Sequence, residues 1–313
     1  MKKIIAAAVA AAFVAPAFAA DVSVSGDVEF TYTDSNTKQN FESGDQDVTV
    51  TGSEELSNGM TVSASLEMDG SDTGMASDAV LTITSGAVTF SIGDAATRAD
   101  AMFDEKSTVA EKGGEDSIAT DENSLGNSHT ATISISPAEG LTVAASLGTV
   151  KYVKAATAKT ANSNQTTLEV EGKEPADVNS YAAQYSAAGF SVAMAVTDKD
   201  GESDSQNYLG ASYTNGPIYV AYESIEGNEF DKDIEVKNLG ASYDYGMGKV
   251  FVESGEEENT SDGAITETVA FGASYKLGGA VNLYIVANNV EATDSSGTKT
   301  DDDQTIVGVE YAF

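Results

Sequence analysis

The chain has 313 residues, with 50 Asp and Glu against 16 Lys and Arg, a formal net charge of −34, and no cysteine or tryptophan. The lack of cysteine excludes disulfide scaffolds and thiolate metal sites, and so acidic a chain lacks the basic clusters that hold nucleic-acid phosphates. Hydrophobic residues make up 41% in regular patterns, which excludes a disordered acidic tail.

Lys2 and Lys3 precede an apolar run from Ile4 to Val14, then Pro16 and the small-x-small triplet Ala17-Phe18-Ala19. That order predicts a signal peptide over 1–19 and a mature domain over 20–313. Loss of Lys2 and Lys3 with such a peptide takes the charge to −36. No later stretch approaches the ~18 unbroken apolar residues of a membrane helix. Strands that cross a membrane are short and only half apolar, so they remain open.

The first predicted strand alternates Val22, Val24, Gly26, Val28, Phe30 and Tyr32 with Ser23, Ser25, Asp27, Glu29, Thr31 and Thr33. Successive strand side chains point to opposite sides, so this strand has an apolar and a hydrophilic face. Met60 to Asp69 and Phe190 to Thr197 repeat the pattern. Short turn signals separate some strands: Ser57-Asn58-Gly59, Ser85-Gly86, Pro137 to Gly140, Ala187 to Gly189, Asn215-Gly216-Pro217, Gly246 to Gly248 and Gly278-Gly279. Between them lie longer acidic stretches, over 34–46, 70–77, 94–128, 151–178, 199–205, 227–233, 257–265 and 292–302.

Short and long connections alternate, which predicts an all-β, 16-stranded antiparallel transmembrane barrel with short periplasmic turns and long external loops. A soluble sandwich shares the alternation but has no reason to sort its connections by length. Leu209-Gly-Ala-Ser-Tyr213, Leu239-Gly-Ala-Ser-Tyr243 and Phe271-Gly-Ala-Ser-Tyr275 recur, with looser copies at Tyr181 to Tyr185 and Val307 to Tyr311. Tyr185, Tyr213, Tyr243, Tyr275 and Tyr311 would then share one height on the outer wall as an interfacial aromatic girdle. The last strand ends on Phe313 and must pair with the first, so that no edge meets lipid.

Val22-Ser-Val-Ser-Gly26-Asp27, Leu56-Ser-Asn-Gly59-Met60-Thr-Val, Phe90-Ser-Ile-Gly93-Asp94, the Gly-Ala-Ser-Tyr strands and the terminal aromatic together resemble the Gram-negative general diffusion porins, in particular the alphaproteobacterial type. The resemblance spans the mature chain and rests on motif order more than on any one motif. It implies a homotrimer in the outer membrane of a Gram-negative bacterium, in contact with lipid and lipopolysaccharide. It also implies a third loop folded into the pore and a terminal Phe313 read by the outer-membrane assembly machinery.

By order the third loop carries Asp94, Asp100, Asp104, Glu105, Glu111, Glu115, Asp116, Asp121 and Glu122 with Arg98, Lys106 and Lys112. Family members often set arginines on the opposite wall, whereas Arg98, in the loop itself, is the one arginine of this chain. Parity places Asp27, Glu29, Glu67, Glu223, Asp244, Glu253 and Glu310 in the lumen, with Lys276 as a base. A lumen lined by one sign attracts counter-ions, so cation preference is expected.

The single histidine, His129, begins a strand at the end of the long loop, and one histidine makes neither a two-histidine metal site nor a convincing triad. No enzyme is expected, and no cofactor. Asp198 to Asp204, Glu256 to Glu258 and Asp301 to Asp303 offer carboxylates to loop-bound calcium. The expected function is passive diffusion of small hydrophilic solutes and ions through a water-filled barrel. The alternatives are a substrate-specific channel, which saturable conductance would reveal, and a secreted or surface structural β protein.

Overall fold

The computed structural model describes residues 21–36, 39–71, 74–95, 128–150, 153–154, 171–172, 176–199, 205–229 and 232–313. Residues 1–19, the expected signal peptide, lie outside them.

The first strands are β1 (Asp21–Ser35), β2 (Gln39–Glu55), β3 (Thr61–Ser71), β4 (Gly74–Ser85) and β5 (Val88–Ala95). After the third long connection come β6 (Ser128–Ala138) and β7 (Leu141–Val150). The fourth contains a two-residue pair, β8 (Val153–Lys154) with β9 (Glu171–Gly172), which forms its own small sheet. Then follow β10 (Ala176–Ala187), β11 (Phe190–Lys199), β12 (Ser205–Asn215), β13 (Ile218–Glu229), β14 (Lys232–Asp244), β15 (Lys249–Asn259), β16 (Ala264–Gly278), β17 (Val281–Thr293) and β18 (Lys299–Ala312).

All strands except β8 and β9 join one closed barrel in chain order, each antiparallel to its neighbours, and β1 pairs with β18 to complete the ring. Closure leaves none of these strands as an unpaired edge of the sheet, which a membrane-spanning sheet requires. The terminal residue takes part, for Gly26 and Phe313 exchange both backbone hydrogen bonds, at 3.0 and 2.8 Å.

The short connections fall where the glycine signals predict them. Ala188 and Gly189 form a two-residue turn between β10 and β11 with φ of 51° and 85°. Positive φ at both central residues matches the right-handed twist of the flanking strands. The long connections differ from expectation. Residues 39–46, 74–77 and 264–265, read as loop from their polarity, are paired in strands, and the turn between β17 and β18 is confined to Asp294–Thr298. Backbone pairing continues beyond the apolar part of the wall, because a ladder in water needs no apolar face to be satisfied.

Side chains alternate in exposure along each strand. On β15, Phe251, Glu253 and Gly255 are buried while Val250, Val252 and Ser254 are exposed. The exposed set forms the convex outer wall, with Leu147, Phe271 and Phe190 about 60% exposed, an apolar surface that only lipid or protein satisfies.

Candidate functional site: the lumen wall

The concave face divides into three sectors. On β1 to β4 it is acidic. Asp27 lies directly opposite Asp47, and Glu67 stands between Thr49 and Asp78. Glu67 and Asp78 are exposed. Like charges directly opposite one another destabilise a sheet unless water and counter-ions screen them; Glu67 and Asp78 have that water, whereas Asp27 and Asp47 are half-buried.

The second sector is a row of hydroxyls at one height. Ser63, Thr82, Ser91, Thr132, Ser146, Ser180 and Thr197 are successive partners from β3 to β11. Thr132 donates to Ser146 at 2.8 Å, and Thr82 and Ser91 lie 3.2 Å apart. Ser63, Thr82, Ser91 and Thr132 are half-buried, and Ser146, Ser180 and Thr197 are buried, so this sector is polar and carries no charge.

The third sector, β12 to β17, is packed. Tyr208, Ile225 and Val236 form one buried cluster with alanines of β10 and β11, and Phe251, Tyr284 and Val286 form another. Phe251 lies over Gly272 and Tyr284 over Gly308, and a Cβ on either glycine would collide with the ring. The carboxylates of this sector are buried too. Glu223 is 1% exposed and accepts a 2.8 Å hydrogen bond from Asn238 Nδ2, and Glu253 is 3% exposed.

The ladder puts Asp27, Glu29, Glu67, Glu223, Asp244, Glu253, Lys276 and Glu310 on the concave face, but in different surroundings. Glu29, Glu223 and Glu253 are buried, whereas Glu67, Asp244 and Lys276 are exposed. Asp244 also caps the turn after β14, its Oδ1 accepting from Gly246 N at 2.7 Å.

Asp94 pairs with His129 at the end of β5, on the register face of Phe90 and Ile92 and not on that of Ser91. Arg98, Asp100, Asp104, Glu105, Glu111, Glu115, Asp116, Asp121 and Glu122 lie outside the described residues, as do Lys106 and Lys112.

Tyr185, Tyr213, Tyr243, Tyr275 and Tyr311 all stand on the convex face near the short-turn rim, the Tyr213 ring tilted by 32° against Phe190 with centroids 4.2 Å apart. Phe313 packs beside Tyr311 with ring centroids 6.1 Å apart.

Two of the carboxylate runs are strand and not loop, so they do not converge. Glu256 and Glu258 point outward and Glu257 inward; likewise Asp301 and Asp303 point outward, each accepting from Asn289 Nδ2 at 2.9 Å, and Asp302 inward. A β-strand alternates its side chains, which prevents consecutive acids from gripping one ion. Asp200, Glu202 and Asp204 of the third run are outside the described residues.

Among the charged groups of the concave face that the sequence reading overlooks are Asp47, Asp78 and Lys249, the last paired with Asp244. Asp78 adjoins a stretch read as loop. Lys249 shares the parity of Phe251 and Glu253, so the signal for it was present.

A sequence model described as Gram-negative porin matches residues 6–295. The chain belongs to the Gram-negative porin family. A porin is a channel of the bacterial outer membrane, and the concave face described above is therefore the wall of its pore. No curated relative matches at the sequence level. The fold is shared with an anion-selective porin from Comamonas acidovorans, at 13% identity and a TM-score of 0.73, over 94% of this chain and all of that one. It is shared with a mutant of Rh. blastica porin at 18% identity and a TM-score of 0.64, with the same coverage. OmpT of Vibrio cholerae in a trimer form gives 14% identity and a TM-score of 0.71, over 94% and 100%. The fold is shared with a porin described as anion-selective at only 13% identity, so it does not by itself fix charge preference, which depends on the side chains of each wall.

Proposed function

We propose that this porin passes small hydrophilic solutes and ions by diffusion and prefers cations. The observation that carries the proposal is the acidic sector on β1 to β4, where Asp27 faces Asp47 and the exposed Glu67 faces the exposed Asp78 directly across strands. Lys249 and Lys276 share the concave face at its short-turn end but stand on other strands, β15 and β16. A passage lined by one sign concentrates counter-ions and repels co-ions. The sequence over 94–128 carries nine acids against Arg98, Lys106 and Lys112, so its charge has the same sign as that sector. A KCl gradient across a planar bilayer tests the preference. The expected reversal potential has the sign of potassium permeation, and a chloride-signed potential would overturn it.

The assembly we propose is a homotrimer. Among the described residues, the convex tyrosines belong to β1 and to β10 to β18, and the sequence has no tyrosine between Tyr32 and Tyr152. The convex face from β3 to β7 is aliphatic, with Leu66, Leu81, Ile92 and Val143 exposed and Phe90 its aromatic residue. An arc without tyrosine suits contact with copies of the same chain better than contact with a membrane interface. Near the long-loop rim, the outward pairs Glu256–Glu267 and Glu291–Asp301 suit lipopolysaccharide bridged by divalent cations. Tyr185, Tyr213, Tyr243, Tyr275 and Tyr311 act as the girdle at the short-turn rim, and Phe313 as the element read during assembly.

A further inference from the structure

The seam between β1 and β18 joins residues from opposite ends of the chain, and on its concave side one contact spans several strands. Tyr284, on β17, donates its hydroxyl to Glu29 Oε1, on β1, at 2.5 Å. To do so its ring crosses β18 over Gly308, where any Cβ would run into it. Glu29 in turn faces a bulge in β2. Its neighbours Val28 and Phe30 pair with Gln46 and Ser43, so Gly44 and Asp45 together oppose Glu29. A Cβ on Gly44 would collide with the Glu29 carboxylate. Tyr284 and Glu29 are 4% and 7% exposed, so little water competes for the bond.

We propose that Tyr284, Gly308, Glu29 and the Gly44 bulge form a clasp that fixes the register in which the barrel closes. The need is physical. Strand side chains repeat every two residues, so a two-residue slip at the seam keeps every apolar side chain facing lipid and is not opposed by the hydrophobic pattern. Until the seam forms, β1 and β18 are also open edges, templates for pairing in any register. The β17–β18 hairpin fixes Tyr284 over Gly308, so the hydroxyl reaches β1 at a single height. In the native register Glu310 opposes Glu29, Gly308 opposes Thr31, and the hydroxyl meets the Glu29 carboxylate. A slip of two residues carries Asp27 or Thr31 to that height instead. Asp27 is one methylene shorter and lacks the bulge beside it, and Thr31 has no carboxylate. A charge-assisted bond shielded from water is roughly twice as strong as a neutral one, enough to separate two registers that hydrophobic burial leaves nearly equal.

The chain has no cysteine, so the register can be read by engineered cross-links in the refolded full-length barrel. Val28 opposes Tyr311 in the native register. The double variant Val28→Cys, Tyr311→Cys therefore reports closure in register, and Val28→Cys, Val309→Cys reports a two-residue slip. With the clasp intact the first forms a disulfide in high yield and the second forms little. Adding Tyr284→Phe or Glu29→Ala is expected to raise the slipped product several-fold and to lower the temperature of the heat-modifiable transition on a gel by about 5 °C. Glu29→Gln keeps a neutral acceptor and is expected to fall between the parent and Glu29→Ala, and the pair Tyr284→Phe with Glu29→Ala to be no worse than either alone. A native-to-slipped ratio unchanged by Tyr284→Phe overturns the proposal, whatever the transition temperature does. Gly308→Ala, which blocks the bed of the ring, is a second route to the same ratio.

Discussion

Ala188 holds a φ of 51° in the turn between β10 and β11, a left-handed conformation that an alanine adopts only at a cost of about 1 kcal/mol. Asparagine favours that position in two-residue hairpins. Ala188→Asn is expected to raise the heat-modification temperature by a few degrees, and Ala188→Val to lower it, as seen by gel shift. Asp294 shows a different local device. Its Oδ1 accepts from Ser296 Oγ at 2.6 Å, from Thr298 N at 2.8 Å and from Ser296 N at 2.9 Å, closing the turn that leads into β18. The Ser296 hydroxyl, followed by the Thr298 amide, holds its carboxyl below the usual aspartate value. A depressed folded value means that the stabilisation is fully present above the unfolded value, about 3.9, and is lost as pH falls through the folded one. Hydrogen exchange at the Thr298 amide should therefore exceed the intrinsic pH trend below about pH 4, and Asp294→Ala should show that fast exchange at every pH.

At the scale of the strand, glycine was the most legible signal. Each two-residue turn announced itself because only a few residues tolerate positive φ. Polarity misled at the other rim. The stretch from Gln39 to Gln46 lacks apolar alternation but is paired throughout most of its length with β1. The same limit hid the packed sector of the lumen. In β17, Tyr284 and Val286 face inward while Leu283 and Ile285 face outward, so both faces are apolar and the period-two contrast vanishes. Which of two apolar faces meets lipid is decided by the neighbours, Gly308 and Gly272 among them, and these are partners in space. Tyr284 and Glu29 are 255 residues apart in sequence, and nothing local in either links them.

For the whole molecule, the even strand count and closure by the last strand were legible because connection length alternates along the chain. The sectors of the wall were not, since they depend on which strands become neighbours. The trimer proposal belongs to this scale. Leu66→Arg or Leu81→Arg places a charge on the aliphatic arc of β3 and β4, both residues being about 40% exposed in the single barrel. Either change should convert the trimer to folded monomers in mild detergent, whereas Leu239→Arg on β14 should leave the assembly size unchanged; analytical ultracentrifugation separates these outcomes.

Selectivity joins all three scales, because it asks which carboxylates meet the permeating ion. Glu67 and Asp78 stand in the wet sector, and Glu223 and Glu253 are buried in the packed one. The most direct measurement is the reversal potential in a KCl gradient for the parent barrel and for Glu67→Gln with Asp78→Asn. The parent should show potassium preference, and the double variant a potential moved clearly toward zero. A chloride-preferring parent, or a double variant with the potential of the parent, would contradict the assignment of charge selection to the β1 to β4 wall.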